Sequence, residues 1–307
     1  MRIRPAKFLD SRRLALLLFL PFPIILFTFM VVFPIVEAVR FSFYNWNGFG
    51  SLTDFVGIEN YEDVLSHRHF STALKNTGLV VGVSLLIQLP LALWASLVLI
   101  EKSWSINLLR ALFFLPFMLA EVATGLIWRF VYDAESGFVH SMAELFSLDM
   151  PHVLGDKLWA MPAILLVVVW KYFGFHMMIY IAALQSISKD IVEAAQLDGA
   201  SPWRIHWFIR IPMIKSAIVI TVFFAVIGAM QLFDLVYSLT GGGPSHSSHT
   251  LVSFLYQFGI TRMKLGFGSA VSVMLFFACV AITLWYQHRL STTQQYNDNG
   301  VGRGADE

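Results

Sequence analysis

The chain has 307 residues, 57% of them hydrophobic and 13% charged, with a single cysteine and a net charge of +1. With a mean hydropathy of +0.68, this composition excludes a soluble domain and marks a multi-span membrane protein. The near-neutral balance excludes nucleic acid as a partner, since that would need clustered Lys and Arg. The lone Cys279 excludes a disulfide framework or a thiolate metal site.

About 20 apolar residues cross roughly 30 Å of hydrocarbon. Six stretches meet that requirement: residues 14–39, 74–100, 108–131, 158–184, 213–239 and 267–286. The first is too long for a signal-peptide core and lacks a small-residue cleavage site, so it is expected to stay as a membrane helix. Pro21, Pro34, Pro90, Pro116, Gly125, Gly174 and Gly228 fall inside these stretches. They are tolerated where neighbouring helices satisfy the freed backbone groups. The expected fold is all-α and polytopic, with about six transmembrane helices. Residues 1–290 form one membrane domain, and the polar, Gly-containing 291–307 form a disordered cytoplasmic tail.

Basic residues orient the spans. Arg2, Arg4, Lys7, Arg12 and Arg13 precede the first stretch, and Lys102, Arg110, Lys189, Arg204, Arg210, Lys215 and Arg289 fall on the same side. Both termini are therefore expected in the cytoplasm. On the outer side, 55–61 reads as a docked amphipathic segment and Gly241-Gly242-Gly243-Pro244 as a turn. His67, His69, His246 and His249 lie in outer loops without a completing carboxylate or cysteine, and are expected to be solvated rather than to hold a metal. The chain has no GxxxxGK[ST] loop, GxSxG elbow or HExxH motif, so no covalent chemistry is expected of it.

Polar residues inside spans are costly and mark cavities or partners. Glu121 and Lys171 fall at matched depth in the third and fourth stretches, where they are placed to pair. Gln231 and Asp234 lie in the outer half of the fifth, and Gln88 mid-way through the second. The neighbouring aromatics Phe117, Tyr172 and Phe175 suit a sugar ring, whose apolar face stacks while its hydroxyls hydrogen-bond. The competing reading is interhelical hydrogen bonding, worth only about 0.6 kcal/mol per bond.

The polar stretch 188–212 reads as two short helices. Asp190 with Glu193 has capping-box spacing. Gly199 suits a left-handed helix end, and Ser201-Pro202 an N-cap followed by a first-turn proline.

This stretch, with Glu193-Ala194-Ala195, Asp198-Gly199-Ala200 and Ile209-Arg210-Ile211-Pro212, resembles the cytoplasmic EAA loop of binding-protein-dependent ABC importer permeases. Residues 55–61, Trp170-Lys171 with 183–187, and 239–244 resemble the carbohydrate-uptake branch, in particular the first of its two permease subunits. Ile211 departs from the usual Leu. The resemblance implies that Glu193, Ala194, Ala195, Asp198, Gly199 and Pro212 couple to a separate ATPase, which binds the ATP and Mg; this chain itself carries no cofactor. It implies a sugar path at Phe117, Glu121, Lys171, Tyr172, Phe175, Ala225 and Ala229, beside Gln231 and Asp234. It also implies a second permease, an ATPase dimer and an extracytoplasmic solute-binding protein as partners, in the cytoplasmic membrane of a bacterium or archaeon. Other solutes (a polyol, a glycerol phosphoester or a peptide) and an ion-coupled secondary transporter stand as alternatives.

Overall fold

A computed structural model describes residues 19–147 and 152–303, with side chains as far as residue 288. In chain order the helices are α1 (Pro21–Phe41), α2 (Glu59–Ser66), α3 (Phe70–Val98), α4 (Trp104–Met118), α5 (Glu121–Val131), α6 (Phe138–Leu145) and α7 (Ala160–Gln185). They continue as α8 (Lys189–Leu197), α9 (Pro202–Met213), α10 (Lys215–Met230), α11 (Asp234–Thr240), α12 (Leu251–Ile260) and α13 (Leu265–Arg303). Among the described residues the only strand-like pairing is an isolated bridge between Tyr44 and Phe55. The all-α expectation holds.

Four helices are long and apolar enough to cross a bilayer unaided: α1, α3, α7 and the Leu265–His288 part of α13. The other two expected spans are bent pairs, α4 with α5 at 100° and α9 with α10 at 68°. The fifth span does not run on to residue 239. α10 ends at Met230, Gln231–Phe233 leave the helix, and α11 restarts at Asp234. With no proline to stop it, α13 continues past Ser291 to Arg303. The basic cluster from Arg2 to Arg13 and the start of the first span lie outside the described residues.

Three of the prolines inside the spans widen the helix rather than end it. π-turns occupy Thr28–Val32, Ser84–Gln88 and His206–Arg210, each finishing two residues before Pro34, Pro90 or Pro212. A proline lacks the N–H for its i−4 carbonyl and its ring crowds that carbonyl. A longer i→i+5 turn relieves the crowding.

The chain divides into two units, one formed by its first residues up to Val64 with Phe258–Met274, the other by Leu65–Gln257 with Leu275 onward. In the first unit, buried Asn60 donates to the carbonyls of Ser42 (2.9 Å) and Tyr44 (3.0 Å), while the Ser42 and Tyr61 hydroxyls meet at 2.7 Å. These contacts dock the segment 55–61. In the second unit α7 is the central element, apolar on all sides and half buried, as a helix packed all round must be. Its N-terminal half packs with Val80, Leu235 and Val236, and its C-terminal half with Ala92, Ala95 and Ala217. Gly174 is what lets α4 lie against it, because a Cβ there would overlap the Phe113 carbonyl.

Residues 240–253 of the second unit form a closed loop. Gly241 (φ +61°) ends α11, Asn76 donates to the carbonyls of Ser247 (2.8 Å) and His249 (2.9 Å), and Thr250 donates to Leu232 (2.7 Å). Contrary to the solvated reading, His249 is 1% exposed, with its ring nitrogens 3.1 Å from His246 and 3.0 Å from the Ser253 hydroxyl. Sequence position alone gave no sign that this loop folds onto α3. Burial, with His246 and His69 alongside, pushes His249 from 6.5 down to about 4. Its folded pKa is depressed, so unfolding takes up a proton between those values. Its contribution is full above about pH 6.5 and is lost as pH falls toward about 4. Thermal unfolding in detergent is therefore expected at a lower temperature at pH 5 than at pH 7.5, and His249→Asn should shrink that difference.

Candidate functional site

The break between α4 and α5 builds the site. Leu119 and Ala120 take extended backbone (ψ 140° and 142°), which turns the chain after Pro116 and leaves the last carbonyls of α4 without helical partners. Lys171 of α7 takes them up. Its Nζ donates to the Leu119 carbonyl at 2.5 Å and reaches the Pro116 carbonyl at 3.4 Å and the Thr124 hydroxyl at 3.5 Å. An ammonium suits a helix C-terminus, whose dipole end is negative. Glu121 then stands on the first turn of α5, at the positive end of that helix, and accepts a hydrogen bond from the Tyr172 hydroxyl.

The expected Glu121–Lys171 ion pair is thus absent. The bend turns the two residues to different partners: Lys171 is 2% exposed and clamps backbone, while Glu121 faces a cavity. Asp234 stands in the same way on the first turn of α11, after the second break. α5 and α11 pack together, since a Cβ on Gly125 would overlap the Ser238 side chain.

Between these breaks lies a cavity of about 460 Å³, within the range of small-molecule sites. Of the expected path residues, Phe117, Glu121, Tyr172, Phe175, Ala225, Ala229, Gln231 and Asp234 line it, and Lys171 does not. Phe117 and Phe175 stack at 4.5 Å with an 18° interplanar angle, Tyr172 meets Phe117 at 6.2 Å, and Phe224 meets Phe175 at 6.2 Å. Ala225 and Ala229, one turn apart on α10, are buried and give the opposite wall no hydrogen-bonding side chain. Sequence reasoning missed Ser84 and His176 and left Gln88 undecided; all three line the cavity. His176 was discoverable, because it shares with Tyr172 the i, i+4 face of α7.

The 188–212 knob follows its capping signals, with one change. Ser188, not Asp190, caps α8 and accepts from the Asp190 N–H at 3.2 Å, so the helix starts two residues earlier than the capping box implied. At the other end the Gly199 N–H reaches the Gln196 carbonyl (3.0 Å) and the Ala200 N–H the Ala195 carbonyl (2.9 Å), a full Schellman ending with Gly199 at φ +80°. Ser201 caps α9, accepting from the Arg204 N–H at 3.4 Å, with Pro202 first in the helix. No residue of α8 is buried, and Glu193, Ala194 and Asp198 are exposed, as is Pro212 on α9. Leu197 (89%), Trp203 (65%) and Phe208 (78%) are exposed apolar side chains on this stretch.

Residues 68–292 match the model of the family described as binding-protein-dependent transport system inner membrane component. The chain belongs to this family. The permease is 32% identical over 92% of each chain to the sulfoquinovosyl glycerol transport system permease protein SmoG of Agrobacterium fabrum. Its fold is that of a chain in the crystal structure of a bacterial ABC transporter that imports the acidic polysaccharide alginate (TM-score 0.81, 21% identity, 91% of this chain and 96% of that one). It matches a second structure of an alginate transporter, in complex with an alginate pentasaccharide-bound periplasmic protein, at a TM-score of 0.78 and 22% identity over 91% and 95% of the chains. The permease is accordingly a membrane subunit of ABC importers, and hydrolysis of ATP belongs to a separate subunit of such systems.

Proposed function

We propose that the permease forms half of the path for a neutral sugar, with a second permease supplying the other half. The observation that carries this reading is the cavity at the two helix breaks, where the stacked Phe117 and Phe175 lie beside the hydrogen-bonding groups of Glu121, Tyr172, Gln231 and Asp234. Rings for the apolar face and acceptors for hydroxyls are what a carbohydrate requires. The sugar systems named among its relatives support the class of substrate.

The charge of the lining narrows the choice. Two carboxylates line the cavity, no Lys or Arg does, and Lys171 is engaged by backbone. A glycerol phosphoester or an acidic sugar would want Arg or Lys facing it, so a neutral sugar or polyol fits better. An extracytoplasmic solute-binding protein delivers the sugar, and two ATPases that hold ATP and Mg grip the exposed knob 188–212 and its counterpart. Both termini then lie in the cytoplasm, and residues 1–290 act as the membrane domain. ATP-driven alternation shifts the population between conformers that open to opposite sides.

The test is uptake by the complete importer in liposomes, reconstituted with its cognate ATPase, second permease and binding protein. ATP-dependent accumulation of labelled maltose or trehalose, not inhibited by galacturonate oligomers, is the expected result. Accumulation driven by an ion gradient without the ATPase would overturn the reading.

A further inference from the structure

In the cavity two buried side chains have an atom with no hydrogen-bond partner, Gln88 Oε1 and His176 Nδ1. Gln88 is 1% exposed and His176 3%. Unmet polar atoms at such depth are rare in folded proteins and call for an explanation. Both residues line the cavity, and neither atom meets a hydrogen-bond partner there. Gln88 is put there by the backbone. It closes the π-turn Ser84–Gln88, whose widening before Pro90 turns both Ser84 and Gln88 to the cavity wall. π-turns inside α-helices recur at functional sites because they re-aim side chains in this way. His176 comes from α7, its ring edge-on to Phe175 at 5.1 Å, next to the aromatic stack.

We propose that Gln88 and His176 form a second set of sugar contacts, contributed by α3 and α7, and that they read the hydroxyls of the transported sugar. This deepens the neutral-sugar reading and rests on it. A hydroxyl both donates and accepts, so it satisfies an amide oxygen and either tautomer of an imidazole nitrogen. An ion satisfies only one sense. Ala225 and Ala229 give the sugar no hydrogen bond from their part of the wall, so the contacts of α3 and α7 decide how many hydroxyls are held at once. The unpaired atoms also disfavour the empty conformer relative to the loaded one.

The experiment uses the complete importer with labelled maltose and trehalose as probes. Gln88→Met keeps the length of the side chain and removes its unpaired atom, and His176→Leu does the same for the ring nitrogen. His176→Asn keeps a polar atom near the Nδ1 position. Gln88→Met and His176→Leu are each expected to lower sugar uptake about two- to tenfold, the effect of one lost hydrogen bond. Their unfolding temperature should stay level or rise, because an unsatisfied polar group has gone, and His176→Asn should retain most uptake. Native uptake in both apolar variants overturns the proposal, as does uptake that falls only in step with unfolding temperature. If the native importer moves neither probe nor any other neutral sugar, the sugar reading itself fails and this inference falls with it. The two failures are thus told apart.

Discussion

Replacing Lys171 by Met is expected to end sugar uptake while lowering stability only modestly. The side chain spans α7 to the broken end of α4, and its removal leaves the Leu119 carbonyl without its donor, while the Pro116 carbonyl keeps the Leu119 N–H at 3.3 Å. A carbonyl left unpaired costs about 1–3 kcal/mol. Part of that loss is offset, since an ammonium no longer has to be held out of water. The geometry is less forgiving. Without the clamp the extended residues Leu119 and Ala120 are free to rewind, and Glu121 leaves the cavity. The check is a pair of measurements on the purified complex, unfolding temperature and sugar uptake, in which a fall of a few degrees with uptake near background is the outcome foreseen. Exchanging the two charges, Glu121→Lys with Lys171→Glu, should be as inactive as either single change, because the partner of Lys171 is backbone. Recovery in the exchanged protein would restore the ion pair and sink the clamp.

Gly199→Arg is expected to separate ATP hydrolysis from transport. Gly199 holds φ +80° at the Schellman ending of α8, and no atom lies within 4 Å of where its Cβ would sit. Two costs can therefore be told apart. Any L-residue pays about 1–2 kcal/mol for the left-handed backbone, whereas only a long side chain intrudes on whatever docks beside Leu197 and Trp203. Gly199→Ala should thus assemble and transport near the native rate. Gly199→Arg should still assemble, but its ATPase activity should no longer respond to sugar and binding protein. A normal response in the Arg variant would remove the knob from the coupling path.

Much of this was readable in the chain. Gly199, Ser201 and Pro202 specify their turn through local chemistry, and local chemistry is what a sequence displays most directly. The breaks were less visible. Residues 108–131 and 213–239 read as uninterrupted apolar stretches, and nothing in their composition distinguishes a straight helix from one bent by 100°. The bend depends on a lysine from another helix satisfying the Leu119 carbonyl that the turn out of helix leaves free, a contact 52 residues away in the chain. For the same reason Glu121 and Lys171 were correctly singled out as costly and incorrectly paired. Depth in the membrane can be counted along a sequence, but the direction in which a side chain turns cannot. Gln88 and His176 were hidden differently, since a missing partner is a property of the surroundings.

The widened turn in α3 has a bearing on how this span tolerates change. Val80, Ser84, Gln88, Ala92 and Ser96 are all buried, at strict four-residue intervals. In a regular α-helix each such interval overshoots a full turn by about 40°, so the last of these residues would point roughly 160° away from the first. The extra residue before Pro90 takes back about 100° of that drift, one residue's worth of rotation. Removal of one residue from Ser84–Gln88 would therefore close a regular helix and leave Ala92 and Ser96 in the phase they already hold. For this span the extra residue serves the aim of Ser84 and Gln88 within the turn, not the packing beyond the proline.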